Sequence, residues 1–494
     1  MPSRLKKVFL LLLSSALLVG TGQIQKSLNT DRARLGLTLM EPLENAPPVL
    51  AFTTVALGGF RGLIVNMLWM RASELQDEDK FFEMAQLADW ITKLEPHFAQ
   101  VWVHQAWNMA YNISVKFKDF PDRWNWVQRG IELLRDEGLR YNPDEILIYR
   151  ELSWFFQHKM GQSLDDAHFY YKKAWFDQMS GVFETARPNF DELIDPKTDD
   201  AKARAKLVRE KFKLDPQFLK EVDERYGPLE WRLPEAHAIY WAAVGLEQTK
   251  KNQKKIKAED IIMLHRSIYQ SLHQSVMHGR VISNSKSMLL DIAPNLDIIR
   301  KSSDAYEAAI NEDENNRVNI SRAHRNIIRE AVYFLYTYNR QAEAAKWFDY
   351  LKKHYPNDPL ISGLPNNVTS SMSLDEYCLA RVEEQIQDST SRDNIRLILE
   401  GMISTSFYSL AMGEDDRAEG FNRFAGTVYL RYKDKTASSK GRVVLPQLNE
   451  IRQEVLRRLL DPERGFPPDV AAQLRTRLNL PAMTNTAPAA VVGH

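Results

Sequence analysis

Residues 147–175, LIYRELSWFFQHKMGQSLDDAHFYYKKAW, carry two helical patterns with a turn between them. The first half sets Tyr149, Leu152, Ser153 and Phe156 three or four residues apart, the spacing of one helix face. The second half sets Ala167, Tyr171 and Ala174 in a small-x3-aromatic-x2-small order. Gly161 lies between the halves, where a short turn reverses the chain. The stretch predicts a helical hairpin, and an all-α fold if its neighbours repeat it.

They do so on both sides. Toward the N-terminus, FFEMAQLADWITKLEP stops at Pro96, AQVWVHQAWNMAYNISV follows, and PDRWNWVQRGIELLRDEGLRYNP stops at Pro143. Proline cannot continue a helix, so each of these positions ends one helix and opens the next. Eight of the eleven tryptophans (Trp69, Trp90, Trp102, Trp107, Trp124, Trp126, Trp154 and Trp175) fall in or before the opening stretch, which predicts an aromatic-rich N-terminal array. Beyond Met179 the regularity lapses. Pro188 and Pro196 break a charged segment, a helix is predicted to start at Asp199 or Asp200, and the region reads as an insertion on the array surface. Pro234 then opens a helix with Ala236, Ile239, Tyr240, Ala243, Val244 and Leu246 on one side, followed by a lysine-rich connector. Helical patterns resume at Ile261, and a second strong hairpin has Ile328, Val332 and Leu335 in its first helix and Ala344, Phe348 and Pro356 in its second. A weaker hairpin turns between Met412 and Asp416, with Ala418 and Ala425 as small contact residues and Asn422 where an aromatic is expected. The last helices are expected over 445–460 and 468–478.

The order of Ala167, Tyr171 and Ala174 after Tyr149 and Leu152, and of Ala344, Phe348 and Pro356, resembles that of tetratricopeptide-repeat (TPR) proteins. From LGGFRGLIVNMLWMRASELQ (57–76) to LLRDEGLRYNP (133–143) the chain is also similar to a class of bacterial membrane-anchored envelope proteins with TPR-like bodies, a class that supplies no activity. The resemblance implies a superhelical array of TPR-like hairpins with a curved groove, in which protein or peptide binding is the default use.

The N-terminus has the layout of an export signal. Arg4, Lys6 and Lys7 precede an apolar run from Val8 to Val19, and Gly20, Thr21 and Gly22 follow. The run is short for a spanning helix of about 20 residues, so it reads as a signal peptide or an uncleaved anchor. Either leaves the body exported, facing the periplasm from the inner membrane or secreted into it. Val49 to Met70 is a second apolar segment, interrupted by Arg61. A central arginine costs about 2.5–3.5 kcal/mol in a membrane, which favours a buried first helix over a span. The resulting division is 1–24 signal peptide or anchor, 25–48 linker, 49–180 aromatic-rich array, 181–256 insertion and connecting helices, 257–480 second array, and 481–494 disordered tail.

Composition excludes several function classes. Lys plus Arg and Asp plus Glu are both 65, so no excess of positive charge recruits nucleic acid. Cys378 is the only cysteine, which rules out an intrachain disulfide and the cysteine-rich zinc patterns; its helical setting reads as a buried small residue. Phosphate-loop, dinucleotide, zincin, haem and nucleophile-elbow signatures are absent, and no cofactor is implied. His265 and His273 lie roughly 80° apart on a helix, with His278 further round, a poor metal arrangement. Paired acids at Asp77–Asp79, Asp165–Asp166 and Glu414–Asp416 sit at turns or helix starts, where capping accounts for them.

What remains is a surface. In WVHQAWNMAYN, Trp102, Ala106, Met109 and Ile113 form an interior stripe, while His104, Trp107 and Tyr111 face elsewhere and are candidates to line a groove. Asn108 and Asn112, one turn apart, join them as ligands for the backbone of an extended partner, a role the TPR resemblance implies. His158 and His168 lie in the same region. The expected function is a non-catalytic envelope scaffold or adaptor. The alternatives are an enzyme acting on a cell-wall glycan or peptide, and a subunit of an integral-membrane machine.

Overall fold

The computed structural model describes residues 60–251, 256–282, 290–365, 371–384, 392–436 and 445–481, with Val368 and positions 14, 17, 20–24, 26–28 and 30–31. Most of the apolar run, the linker from 32 to 48, the first part of the second apolar segment, Lys254 and Lys255 of the connector, and the tail from 482 lie outside the described residues. The described positions between 14 and 31 are helical and exposed. Among the described residues no helix is long and apolar enough to cross a membrane. Apart from one short antiparallel pair, β1 (Arg280–Val281) with β2 (Ile292–Ala293), the described elements are helical, as the hairpin patterns predict.

The chain forms two compact units, Met1–Asp79 with Gln86–Glu95, and Lys80–Ala85 with Pro96–His494. In the first, α1 (Phe60–Asp77) buries Val65, Ala72 and Leu75 and leaves Leu63, Met67 and Met70 exposed. Arg71, Glu74 and Asp77 occupy its second half, so the apolar character of 49–70 does not continue along the helix. α2 (Phe81–Leu94) stops before Pro96 as expected and buries Ala88 and Ile91.

After the first turn of α2, the second unit continues with α3 (Ala99–Trp107), α4 (Phe120–Glu132), α5 (Ile146–Trp154) and α6 (His168–Ser180). The first three each run into a π-helical turn: Asn108–Ile113 after α3, Leu133–Gly138 after α4 and Phe155–Met160 after α5. α3 and α4 approach closely at Gly130, where a Cβ would lie 2.9 Å from the Ala106 carbonyl oxygen. Three helices form the irregular region: α7 (Phe190–Ile194), α8 (Asp199–Glu210) and α9 (Pro216–Tyr226). α8 starts at Asp199, as expected, with the Thr198 hydroxyl accepting from the Ala201 amide at 3.1 Å.

α10 (Pro234–Lys251) packs against α5 on one side and α11 (Ala258–His278) on the other, so it belongs to the core. Burial extends round the helix and takes in Glu235, His237, Ala238, Trp241 and Ala242 besides the predicted face. From α11 each helix packs on the next: α12 (Ile299–Glu312), α13 (Arg317–Thr337) and α14 (Gln341–His354). α15 (Leu374–Glu384) lies against α13 and α14. The final hairpin joins α16 (Arg392–Ala411) to α17 (Asp415–Thr436) through the predicted turn, and α18 (Leu448–Leu459) and α19 (Pro468–Arg477) both pack on α16. Asn422, the misfit in the repeat pattern, accepts a hydrogen bond from Arg452.

Candidate binding surface

The surface is built where two helices change their winding. In an α-helix, residues i and i+4 are offset by about 40°, from 3.6 residues per turn. A π turn holds one more residue in each hydrogen-bonded ring, so a helix passing from α to π swings residue i+4 back over residue i. α3 makes this change after Trp107 and α5 after Trp154. Trp107 accordingly stacks on Tyr111, with centroids 4.8 Å apart and planes at 17°. Trp154 stacks on His158 at 4.4 Å and 13°. The pairs join through Tyr111 and His158, whose Oη and Nδ1 are 3.2 Å apart. Trp107, Tyr111, His158 and Trp154 thus form a ladder of four rings, with Trp107 40% exposed and the other three half-buried.

A buried ion cluster fixes this ladder from below. Lys159 Nζ lies 5.0 Å from the Tyr111 ring centre and 5.7 Å from that of Tyr171, and donates to Asp165 Oδ2 at 2.5 Å. Arg123 Nη2 donates to Asp165 Oδ1 at 2.6 Å, and the Ala167 amide and the Tyr171 hydroxyl complete the set. All three charged side chains are less than 10% exposed. Burial pushes the Asp165 carboxyl up, but the Lys159 and Ala167 hydrogen bonds and the two cations outweigh it and hold the group at about 2. The hydrogen bond to Ala167 is the capping role the sequence predicts; the ion hub is an addition. Burial and the Lys159 charge lower the His158 pKa, and burial pushes the Tyr111 phenol up. At neutral pH the four rings are uncharged.

The predicted groove residues divide. Trp107 and Tyr111 form the ladder. His104 is half-buried, and burial lowers its pKa. Asn108 corrects the prediction, because it is wholly buried: its Nδ2 donates to the Phe81 carbonyl at 3.3 Å and its Oδ1 accepts from Asn112 Nδ2 at 3.1 Å. Asn108 follows the α winding of α3, its amide bonding the His104 carbonyl, and shares a second buried face with Val101 and Gln105 that the single interior stripe leaves out. Asn112 is half-buried, with its amide nitrogen committed to that contact. Trp154 and His158 were not predicted as part of this surface, although W-x3-Y at 107–111 and W-x3-H at 154–158 repeat one spacing. His168 turns to the Asp165 carbonyl and the Phe169 ring. Of the repeat-defining residues, Tyr149, Leu152, Ala167, Tyr171, Ala344 and Phe348 are buried, Ala174 packs half-buried on the core, and Pro356 is exposed just beyond α14.

Among the described residues, the exposed phenylalanines and tryptophans are Phe82, Trp90, Phe98, Trp107, Phe120 and Phe169, all between positions 82 and 169. Phe82 also meets Phe117 and Trp126 at 6.1 and 5.7 Å, which adds a second ring cluster to the second unit.

Other reactive groupings lie in the interior or are already paired. Ser303 Oγ and His324 Nε2 are 2.9 Å apart, and His324 Nδ1 is 2.7 Å from the Tyr355 hydroxyl. Ser303 and His324 are both buried, and these contacts hold them within the interior. His265 pairs with Glu312 at 2.5 Å and His273 with the Tyr306 hydroxyl at 3.1 Å. Among the described residues no group of three or more His, Cys, Asp or Glu is placed to hold a metal ion. Cys378 is buried, and burial pushes its thiol up. Glu151, near Tyr111, has a carboxyl raised by burial against the opposing Arg150 charge. Two carboxylates with opposite shifts are a pattern of acid–base sites. Here both Asp165 oxygens are taken by internal donors. No family model, no curated protein and no solved structure matches the chain.

Proposed function

We propose that this chain is a non-catalytic scaffold or adaptor of the bacterial cell envelope, built of TPR-like hairpins, which receives an extended protein segment on the ladder of Trp107, Tyr111, His158 and Trp154. The observation that carries the reading is the ladder itself: two stacked pairs of uncharged rings, joined through Tyr111 and His158 and left partly in solvent, with a buried ion cluster under the Tyr111 ring. Large rigid rings supply contact area with little side-chain entropy to lose, which is why they dominate binding hot spots. The exposed Phe82, Phe98, Trp107, Phe120 and Phe169 of the second unit support the same reading. Export follows from the N-terminal basic and apolar layout, with the body anchored at the inner membrane or secreted into the periplasm.

The test is site-directed photocrosslinking in intact membranes. A photoreactive amino acid replacing Trp107 is expected to capture a discrete partner, and the same group replacing Leu430, an exposed aliphatic in α17, is not. A Trp154→Ala substitution in the chain that carries the probe should abolish the adduct. Equal labelling from both positions, or an adduct indifferent to Trp154, overturns the proposal.

A further inference from the structure

Several connections of the second unit meet at an open pocket of about 520 Å³, within the size range of small-ligand sites. Its wall combines Arg280 on β1, Asn295 after β2, Tyr338 and Arg340 between α13 and α14, and the turn from Gly413 to Arg417 that opens α17. Most of the charge is already neutralised. Arg280 grips both carboxylate oxygens of Glu414, Arg340 bonds Asp297 at 2.9 Å, and Asp415 is held by Arg477 at 2.5 Å.

Two opposite charges are left over. Among the described residues neither Arg417 nor Asp416 has an ion-pair partner. The Arg417 guanidinium stacks on rings instead, 5.2 Å from the centre of Tyr338 and 5.7 Å from that of Phe421, and its Nε is buried without a hydrogen-bond partner. Two further wall atoms are in the same state, Tyr338 Oη and Asn295 Oδ1, on residues 6% and 2% exposed. Asn295 is held by its other amide atom, which donates to the Pro228 carbonyl at 2.8 Å. Arg280 lies 6.0 Å from the Tyr338 ring centre, and its charge opposes the effect of burial on the phenol. Burial pushes that phenol up, so it stays protonated and able to donate.

Buried polar atoms without partners are rare enough to need a reason, and here several share one pocket. A guanidinium lacking a counter-ion and a phenol donor suit a carboxylate. An amide oxygen and an unpaired carboxylate suit an ammonium. We propose that this pocket binds a small zwitterion with both groups, a free α-amino acid or a short peptide, its carboxylate on Arg417 and Tyr338 and its ammonium on Asn295 Oδ1 and Asp416. A phosphate or nucleotide suits it less well, because Glu414, Asp415 and Asp416 adjoin the cation. The site is independent of the aromatic ladder.

Isothermal titration calorimetry on the full chain tests this with L-alanine, L-alanyl-L-alanine, N-acetyl-L-alanine and L-alanine amide. At least one of the two zwitterions should bind saturably, and the tighter identifies the source. Each capped compound, having lost one charge-assisted contact, should bind about tenfold more weakly or worse. Arg417→Gln and Asp416→Asn should each weaken the zwitterion about tenfold. Asp416 is exposed and outside the packed core, so Asp416→Asn decides the matter if Arg417→Gln, which removes a stacked group, fails to fold. Absence of heat with both zwitterions, capped compounds binding as tightly as free ones, or unchanged affinity in Asp416→Asn overturns the proposal.

Discussion

Asp165 is the residue on which the N-terminal hairpins depend most. Removing one partner of a buried ion pair leaves an uncompensated charge, at a cost of about 3–5 kcal/mol. Asp165→Asn strands Lys159 and weakens the hold on Arg123, which keeps Asp166 at 2.7 Å, so the lower end of that range, about 3 kcal/mol, is expected in urea denaturation. Lys173→Ala breaks an exposed helical pair with Asp177 and should cost under about 0.5 kcal/mol. Equal effects would show that the cluster under the ladder is no more than a surface ion pair. Histidines give a second residue-scale prediction. His237 donates Nε2–H to the Trp231 carbonyl at 2.8 Å, and it and His324 are buried, with pKa values lowered to about 4, chiefly by desolvation. An unfolded imidazole protonates near 6.5, so the unfolded chain takes up protons first as pH falls. Stability from these groups is therefore full above about pH 6.5, is lost as pH drops toward 4, and falls no further below it, each contributing on the order of 3 kcal/mol over the window. Urea midpoints at pH 7, 6, 5 and 4 check this, and a flat series would contradict it.

Among the elements, close helix contacts set opposite outcomes for one substitution. At Gly420 a Cβ would sit 2.0 Å from the Thr337 carbonyl oxygen, a backbone atom that cannot turn aside, so Gly420→Ala should force α13 and α17 apart and cost about 1–3 kcal/mol or more. At Gly401, inside α16, a Cβ meets nothing within 4 Å, and Gly401→Ala should stabilise by about 0.5–1 kcal/mol through helix propensity. Thermal unfolding of both variants measures the two signs, and a shared sign would refute the packing argument. Element order was legible in the sequence because its signals are local: Pro96 and Pro143 stop helices, Asp199 opens one, and the 412–416 turn separates α16 from α17. The π turns were not, since hydrophobic spacing distinguishes helix from strand but not one winding from the next; Asn108 is misplaced for another reason, that the spacing reads one buried stripe on a helix that also buries Val101 and Gln105. The one-sided pattern of α10 understates its burial, which also takes in Glu235, His237, Ala238, Trp241 and Ala242.

For the molecule as a whole, charge and exposed rings point to different kinds of association. The formal charge is zero, with 65 residues of each sign, so no long-range field draws in a partner. The exposed aromatics concentrate in the N-terminal hairpins, whereas the wall of the pocket between β1 and α17 is dense in charge. The ladder's two tryptophans were visible in the sequence as members of a dense tryptophan region; the pocket was not, because its wall comes from connections more than 100 residues apart and no local pattern records their meeting. Salt separates the two surfaces. The Debye length shrinks from about 14 Å at 0.05 M to about 4 Å at 0.5 M, which weakens a contact between exposed charges and leaves one made by apolar rings almost unchanged. Photocrosslinking from position 107 is therefore expected to keep its yield within about twofold across that range, while the affinity of a zwitterion for the pocket, resting in part on the exposed Asp416, should fall several-fold. Loss of the crosslink at 0.5 M salt would mean that charges at the rim of the ladder hold the partner, and the rings would then be a floor beneath an electrostatic site.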